Sequence, residues 1–179
     1  MHKITIFIDS GNLWNVYKAI GRLLDFSKLK IFFSTKFRGE ISKVFYYVAY
    51  PTEGTRPQAV IERFHKFLTY LKKGLGFCVV KKPLKTIFLA NKKIEKGNFD
   101  VEITLDALKY SKEYDIAIFL SGDSDFLPLI TELRILEKKK VYIFSSANSV
   151  SKELRTGADG YFDLIDYPEL HGKKLESKK

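Results

Sequence analysis

Residues Ile116 to Leu120 are apolar without a break and run straight into Ser121, Gly122, Asp123, Ser124 and Asp125. A short, wholly apolar run suits a strand covered on both faces, which is the situation inside a parallel sheet between two helical layers. The same pattern recurs. Lys3 to Ile8 runs apolar into Asp9, Ser10, Gly11 and Asn12, and Leu13, Val16, Tyr17, Ile20 and Leu24 follow at helical spacing. Val44 to Tyr50 ends at Pro51 and a polar loop, after which Pro57 opens a helix carrying Val60, Phe64, Phe67, Leu68 and Leu71 on one face.

The rest of the chain continues this alternation. Phe77 to Val80 reads as a third strand on a sheet edge, and Thr86 to Ala90 as an extra one, the arm of a hairpin. A helix is expected from Asn98 or Phe99 through Tyr110. After the strand at Ile116, Pro128 sits in the first turn of a helix whose core face is Phe126, Leu129, Ile130, Leu133 and Leu136. Val141 to Phe144 is a strand, Val150 to Arg155 a helix ending near Gly157, and Tyr161 to Ile165 a short strand. Strands apolar throughout, alternating with amphipathic helices, imply an α/β protein: a three-layer α/β/α sandwich on a mainly parallel sheet. One domain is expected over residues 1–168, followed by a basic, flexible tail over 169–179, with Lys173 to Lys179 solvated.

Composition narrows the functional classes. With 45% hydrophobic residues, 15 Phe and 10 Tyr among 179 residues, the chain can build a core, and no apolar run is long enough to span a bilayer. The first dozen residues hold too short an apolar stretch for a signal peptide, so the cytoplasm is the expected compartment. The single cysteine, Cys78, has no partner for a disulfide or zinc site, and its apolar setting predicts burial. A net charge of +10 suits an anionic partner such as nucleic acid.

In a parallel α/β sheet, function gathers at the carboxyl ends of the strands where strand order reverses. Asp9 ends the first strand, and Asp123 and Asp125 follow the fourth. Neighbouring placement of these strands would bring three carboxylates into one crevice. Carboxylates so close repel one another unless a divalent cation neutralises them, and Mg²⁺ or Mn²⁺ prefers such oxygen ligands. Helix capping alone accounts for one of the pair at 123 and 125, but not for all three acids together. A fourth acid is expected from the helix before Ile116. At about 100° per residue Asp100 and Asp106 lie about 240° apart, whereas Glu102 and Asp106 lie about 40° apart, so the three cannot share one narrow face. His2, His65 and His171 are scattered and none is placed as a general base.

Three strings carry a resemblance: Phe7 to Leu13; Lys96 to Val101 with Asp106; and Ser121 through Asp123, Asp125, Phe126 and Pro128 to Leu129. Together with Ser151, Leu154, Ala158, Asp159 and Phe162, they resemble the NYN domain family, LabA-like branch, of the PIN-like nuclease superfamily. The chain has one residue more before Asp100 than the usual Lys-Gly-x-Asp, and its segment from Lys82 to Lys96 is unusually basic. The resemblance implies a Rossmann-like PIN fold and a metal-dependent ribonuclease, with Asp9, Asp100, Asp123 and Asp125 as catalytic and metal-binding acids. It places Asn12 and Ser121 as substrate-positioning residues and Asp106 behind the acids. Single-stranded RNA is the implied partner, with pairing into a homodimer. Lys85, Lys92, Lys93 and Lys96 are the candidate phosphate contacts, because a site that cuts a polyanion needs flanking cations to hold its backbone. Two alternatives remain: an RNA-binding or regulatory module without turnover, and a phosphohydrolase acting on small phosphates.

Overall fold

In a computed structural model, strand β1 (His2–Asp9) lies at the centre of a six-stranded sheet. The structure describes residues 1–51, 54–89 and 92–175, with 86–89 and 92–96 described by their backbone alone. On one side of β1 come β3 (Gly39–Tyr50) and the edge strand β4 (Cys78–Pro83). On the other come β7 (Ile116–Leu120), β8 (Lys140–Ser145) and β9 (Gly160–Asp163). Every pairing in this sheet is parallel. The chain moves outward from β1 on one side, then returns to place β7 against β1, so strand order reverses between those two strands.

Period-two alternation divides the side chains between two cores. Ile4, Ile6 and Ile8 of β1 join Val44, Ile118 and Leu120 on one face, under α1 (Ser10–Ile20), α2 (Phe26–Phe37) and α3 (Gln58–Thr69). Phe7, Phe45, Ala117, Phe119 and Ile143 form the other, under α4 (Asp100–Lys109), α5 (Leu127–Ile135) and α6 (Lys152–Gly157). Phe7 pairs in register with Phe45 and Phe119, and its ring stacks on both at centroid distances of 5.5 and 5.0 Å. Each such buried ring contributes about 1.5–3 kcal/mol relative to exposure. The expected three-layer α/β/α sandwich is therefore the observed one.

The differences are local. The first helix stops at Ile20 because Gly21, at φ 66°, takes the left-handed conformation that closes it. Leu24, expected on that helix, instead lies on β2 (Arg22–Leu24). Helix α2 has no counterpart among the elements expected above; Asp25 caps it through the Ser27 N–H, and it buries Phe26, Leu29 and Phe33. Val60 and Leu136, expected in the core, are exposed, the latter because α5 ends one residue before it. Cys78, expected buried, is exposed, since it opens the edge strand of the sheet.

Lys85–Leu89 (β5) and Lys92–Lys96 (β6) form an antiparallel hairpin of their own, as expected of the Thr86 to Ala90 arm, although Ala90 lies outside the described residues. The expected tail is folded as far as Leu175: His171–Lys174 (β10) pairs with β2, and the Leu175 N–H donates to the Gly21 carbonyl. Residues 176–179 lie outside the described residues. No helix among the described residues is long and apolar enough to cross a membrane.

Candidate metal centre

The reversal of strand order puts the carboxyl ends of β1 and β7 side by side; Asp9 ends the first, and Asp123 follows the second three residues on. Asp9 caps α1, its Oδ1 accepting from the N–H groups of Gly11 at 3.0 Å and Asn12 at 3.4 Å. Asp123 caps the single 3₁₀ turn Ser124–Phe126, its Oδ1 accepting from the Asp125 N–H at 3.1 Å. Capping therefore engages one oxygen of each acid. Buried Ser121 links the two: its hydroxyl donates to Asp9 Oδ2 at 3.4 Å and accepts the Asp123 N–H at 3.3 Å. Asn12 spans the same gap, its Oδ1 accepting the Gly122 N–H at 3.0 Å.

The third acid arrives from the start of α4. Gly97 packs so closely on β3 that a Cβ there would lie 2.2 Å from the Ala49 Cβ. That approach seats the Asn98 turn at the carboxyl end of the sheet. The Asn98 side chain then accepts the Asp100 N–H at 2.7 Å and donates to Asp100 Oδ2, which fixes the carboxylate. Oxygens of Asp100, Asp123 and Asp125 all lie within 4.8 Å of one another. Asp9, Gly11, Asn12, Asn98, Asp100 and Asp123 line an open cleft of about 250 Å³.

Electrostatics follow from this crowding. Burial raises the Asp100 carboxyl above the usual range, and Asp123 and Asp125 raise it further, against the lowering effects of Asn98 and Lys82. Burial likewise raises Asp9, with Asp100 adding to it, while the cap hydrogen bonds from Asn12 and Gly11 oppose the rise. A hard divalent cation fits this donor set, because three carboxylates that repel one another in an open, polar cleft offer only oxygen ligands.

The other two acids of α4 are engaged elsewhere. Glu102 pairs with Lys82 at 2.7 Å and Asp106 accepts the Tyr47 hydroxyl at 3.0 Å. Asp100 is thus the acid of this helix that joins Asp123 and Asp125, and Asp106 sits on Tyr47. Asp9, expected at the centre with Asp123 and Asp125, lines the cleft beside Asp100 but outside the trio, with one oxygen on the α1 cap and the other accepting from Ser121. Asn98 was not singled out in the sequence, although an Asn two residues before an acid at a helix start is a recognisable turn-forming signal. The basic hairpin rises next to the cleft: Leu84 N–H bonds to the Tyr50 carbonyl at its base, and Lys96 leads through Gly97 to Asp100. Lys85 is exposed and faces Lys96 in register. The side chains of Lys92, Lys93 and Lys96 lie outside what the structure describes.

Residues 3–166 match the NYN domain. The chain is 26% identical over 167 residues to the "Low amplitude and bright protein LabA" of Synechococcus elongatus, covering 92% of this chain and 84% of that protein. It is also 33% identical over 89 residues, 49% of this chain, to an uncharacterized protein of Methanocaldococcus jannaschii, of which it spans only 37%. Among solved structures, the crystal structure of a protein of unknown function from Vibrio parahaemolyticus is similar, with a TM-score of 0.69 at 26% identity, covering 91% of this chain and 93% of that one.

Proposed function

The chain belongs to the NYN domain family, and from that premise we propose that it is a ribonuclease hydrolysing single-stranded RNA with Mg²⁺ or Mn²⁺ held by carboxylates, acting in the cytoplasm. The observation that carries the reading is the trio of Asp100, Asp123 and Asp125, whose oxygens converge within 4.8 Å at the point where strand order reverses. These three would hold the cation, with Asp9 beside them. When bound, the cation supplies positive charge that makes water a better nucleophile at neutral pH and steadies the leaving oxygen.

The chain's own residues do the rest. Asn98 holds Asp100 in one orientation before any ligand arrives, so little ordering is left to accomplish on binding. Ser121 and Asn12 tie the β1–α1 junction that bears Asp9 to the loop that bears Asp123. Lys85 and the lysines of β6 supply the positive charge for holding a phosphate backbone that a cleft lined with acids lacks. No side chain here is required as a covalent nucleophile.

The test is cleavage of single-stranded RNA by the purified protein with Mn²⁺ and with chelator. Cleavage that chelator abolishes, and that Asp123→Asn lowers by about 100-fold or more, is expected. RNA binding without cleavage, indifferent to chelator, would instead select a non-catalytic RNA-binding module on the same fold.

A further inference from the structure

Helix α1 carries one side chain that neither the fold nor the acidic cleft uses. Leu13 and Val16 pack into the core, whereas Trp14, the only tryptophan of the chain, is 49% exposed. Its place on the helix is specific. Gly11 lines the cleft, and Trp14 and Asn15 follow at three and four residues, with Lys18 at seven, so these positions form one stripe leading away from the cleft mouth. Trp14 stands one turn beyond Gly11, about 4.5 Å along the axis. The Tyr17 and Trp14 rings form a T-shaped pair at 6.5 Å and 86°, and Lys18 Nζ lies over the indole at 5.9 Å from its centroid. A half-exposed aromatic plate is thus held against Tyr17, has a cation over it, and stands one turn from Gly11 of the cleft lining.

That combination suits a nucleobase whose phosphate continues toward Lys18. Bases of every kind present a π-face, and stacking of single-stranded bases on exposed aromatic rings is tolerant of sequence. Resting on the ribonuclease reading above, we propose that Trp14 is the stacking platform for the base of the nucleotide neighbouring the scissile phosphate, with Lys18 on the next phosphate. The substrate class is single-stranded RNA with an unpaired base at that position, since a paired base would have no free face to offer.

Because Trp14 is the sole tryptophan, its fluorescence reads the contact directly. The intact protein, in EDTA and low salt so that nothing is cut, is titrated with an adenosine octaribonucleotide and with an abasic octamer of equal length and charge. Binding is followed separately by fluorescence anisotropy of end-labelled copies. The expected result is quenching by the adenosine octamer, none by the abasic one, and about ten-fold or greater weakening for Trp14→Ala with recovery in Trp14→Phe. An adenosine octamer that binds with unaltered tryptophan emission and equal affinity for Trp14→Ala overturns the platform and leaves the ribonuclease reading standing. Failure of both octamers to bind overturns the platform, while the ribonuclease reading stands or falls on cleavage with Mn²⁺. A dimer that Trp14→Ala dissociates in sedimentation, with no quenching by RNA, assigns the ring to a second copy of the chain and overturns the proposal.

Discussion

The Asn12 side-chain oxygen accepts the Gly122 N–H at 3.0 Å and so joins the first turn of α1 to the loop after β7, 110 residues away. The two acids beside this bridge, Asp9 at the end of β1 and Asp123 in the loop after β7, are thus held in place by it as well as by Ser121. Asn12→Ala leaves a partly buried N–H without an acceptor, a loss of about 1–3 kcal/mol. A lower melting temperature is expected, together with weaker Mn²⁺ binding by calorimetry. Unchanged metal affinity in a folded Asn12→Ala protein would show that the bridge does not set the acids' spacing.

The pH dependence of the metal-free protein follows from Asp9 and Asp100. Both carboxyls are raised above the usual range in the folded state, first by burial. Within the window between the ordinary aspartate value and the raised one, the native state binds more protons than the unfolded state. The contribution of these groups to stability therefore falls as pH rises through that window and stays low above it. Asp100→Asn removes a charge that neighbours repel while keeping an oxygen able to accept from Asn98. At pH 7 in EDTA this variant is expected to melt about 2–4 °C higher than the parent. Mn²⁺ is expected to raise the melting temperature of the parent and not of the variant, measured by differential scanning calorimetry.

At Gly122 backbone meets backbone. A Cβ there would lie 2.2 Å from the Ser149 carbonyl oxygen and 2.8 Å from Ser145 Oγ. Neither carbonyl nor loop can yield easily, because the Ser151 N–H also bonds to the Gly122 carbonyl. Gly122→Ala is expected to destabilise the fold by about 1–3 kcal/mol, the usual range for forced overpacking, and to displace Asp123. Denaturant unfolding measures the first effect and Mn²⁺ affinity the second; a variant as stable as the parent would refute the packing argument.

Asp159 stabilises the far side of the sheet. Burial pushes its carboxyl up, yet the Val141 N–H, Lys140 and Arg134 together outweigh burial and hold it below the usual range. A depressed native value contributes stability that is present above the ordinary aspartate range and is lost as pH falls through the folded value. Asp159→Asn is accordingly expected to lower the melting temperature at pH 7 and to bring it closer to the parent's at about pH 3. A constant gap across that range would assign the effect to packing alone.

What the sequence disclosed was governed by local pattern. β7 is apolar at all five positions and sits buried at all five, so both its existence and the acids after it could be read directly. Helix α2 was hidden because Ile31 is 73% exposed while Phe26, Leu29 and Phe33 are buried, which blurs its apolar stripe. β10, with sequence His-Gly-Lys-Lys, has no apolar pattern; its pairing with β2 joins His171 to Leu24 and Lys174 to Arg22, far apart in the chain. Which of Asp100, Glu102 and Asp106 stands beside Asp123 and Asp125 likewise depends on distant partners. Lys82 and Tyr47 take the latter two, and neither pairing has a signature in the helix itself.

The hairpin lysines give the most direct test of whether a long polyanion is the substrate. Register places Lys85 opposite Lys96, with Lys92 opposite Leu89 and Lys93 opposite Phe88, on a hairpin separate from the main sheet. Replacing Lys92, Lys93 and Lys96 by Ala therefore leaves both cores intact, and the melting temperature is expected to stay within about 2 °C of the parent. Affinity for single-stranded RNA should fall. Each lysine–phosphate pairing removed lowers the slope of log affinity against log salt by about 0.7, so the triple replacement lowers it by about 2. A small phosphate ester, which releases few counterions, should bind the variant and the parent alike. An unchanged salt slope for RNA would place the binding path on another face of the protein.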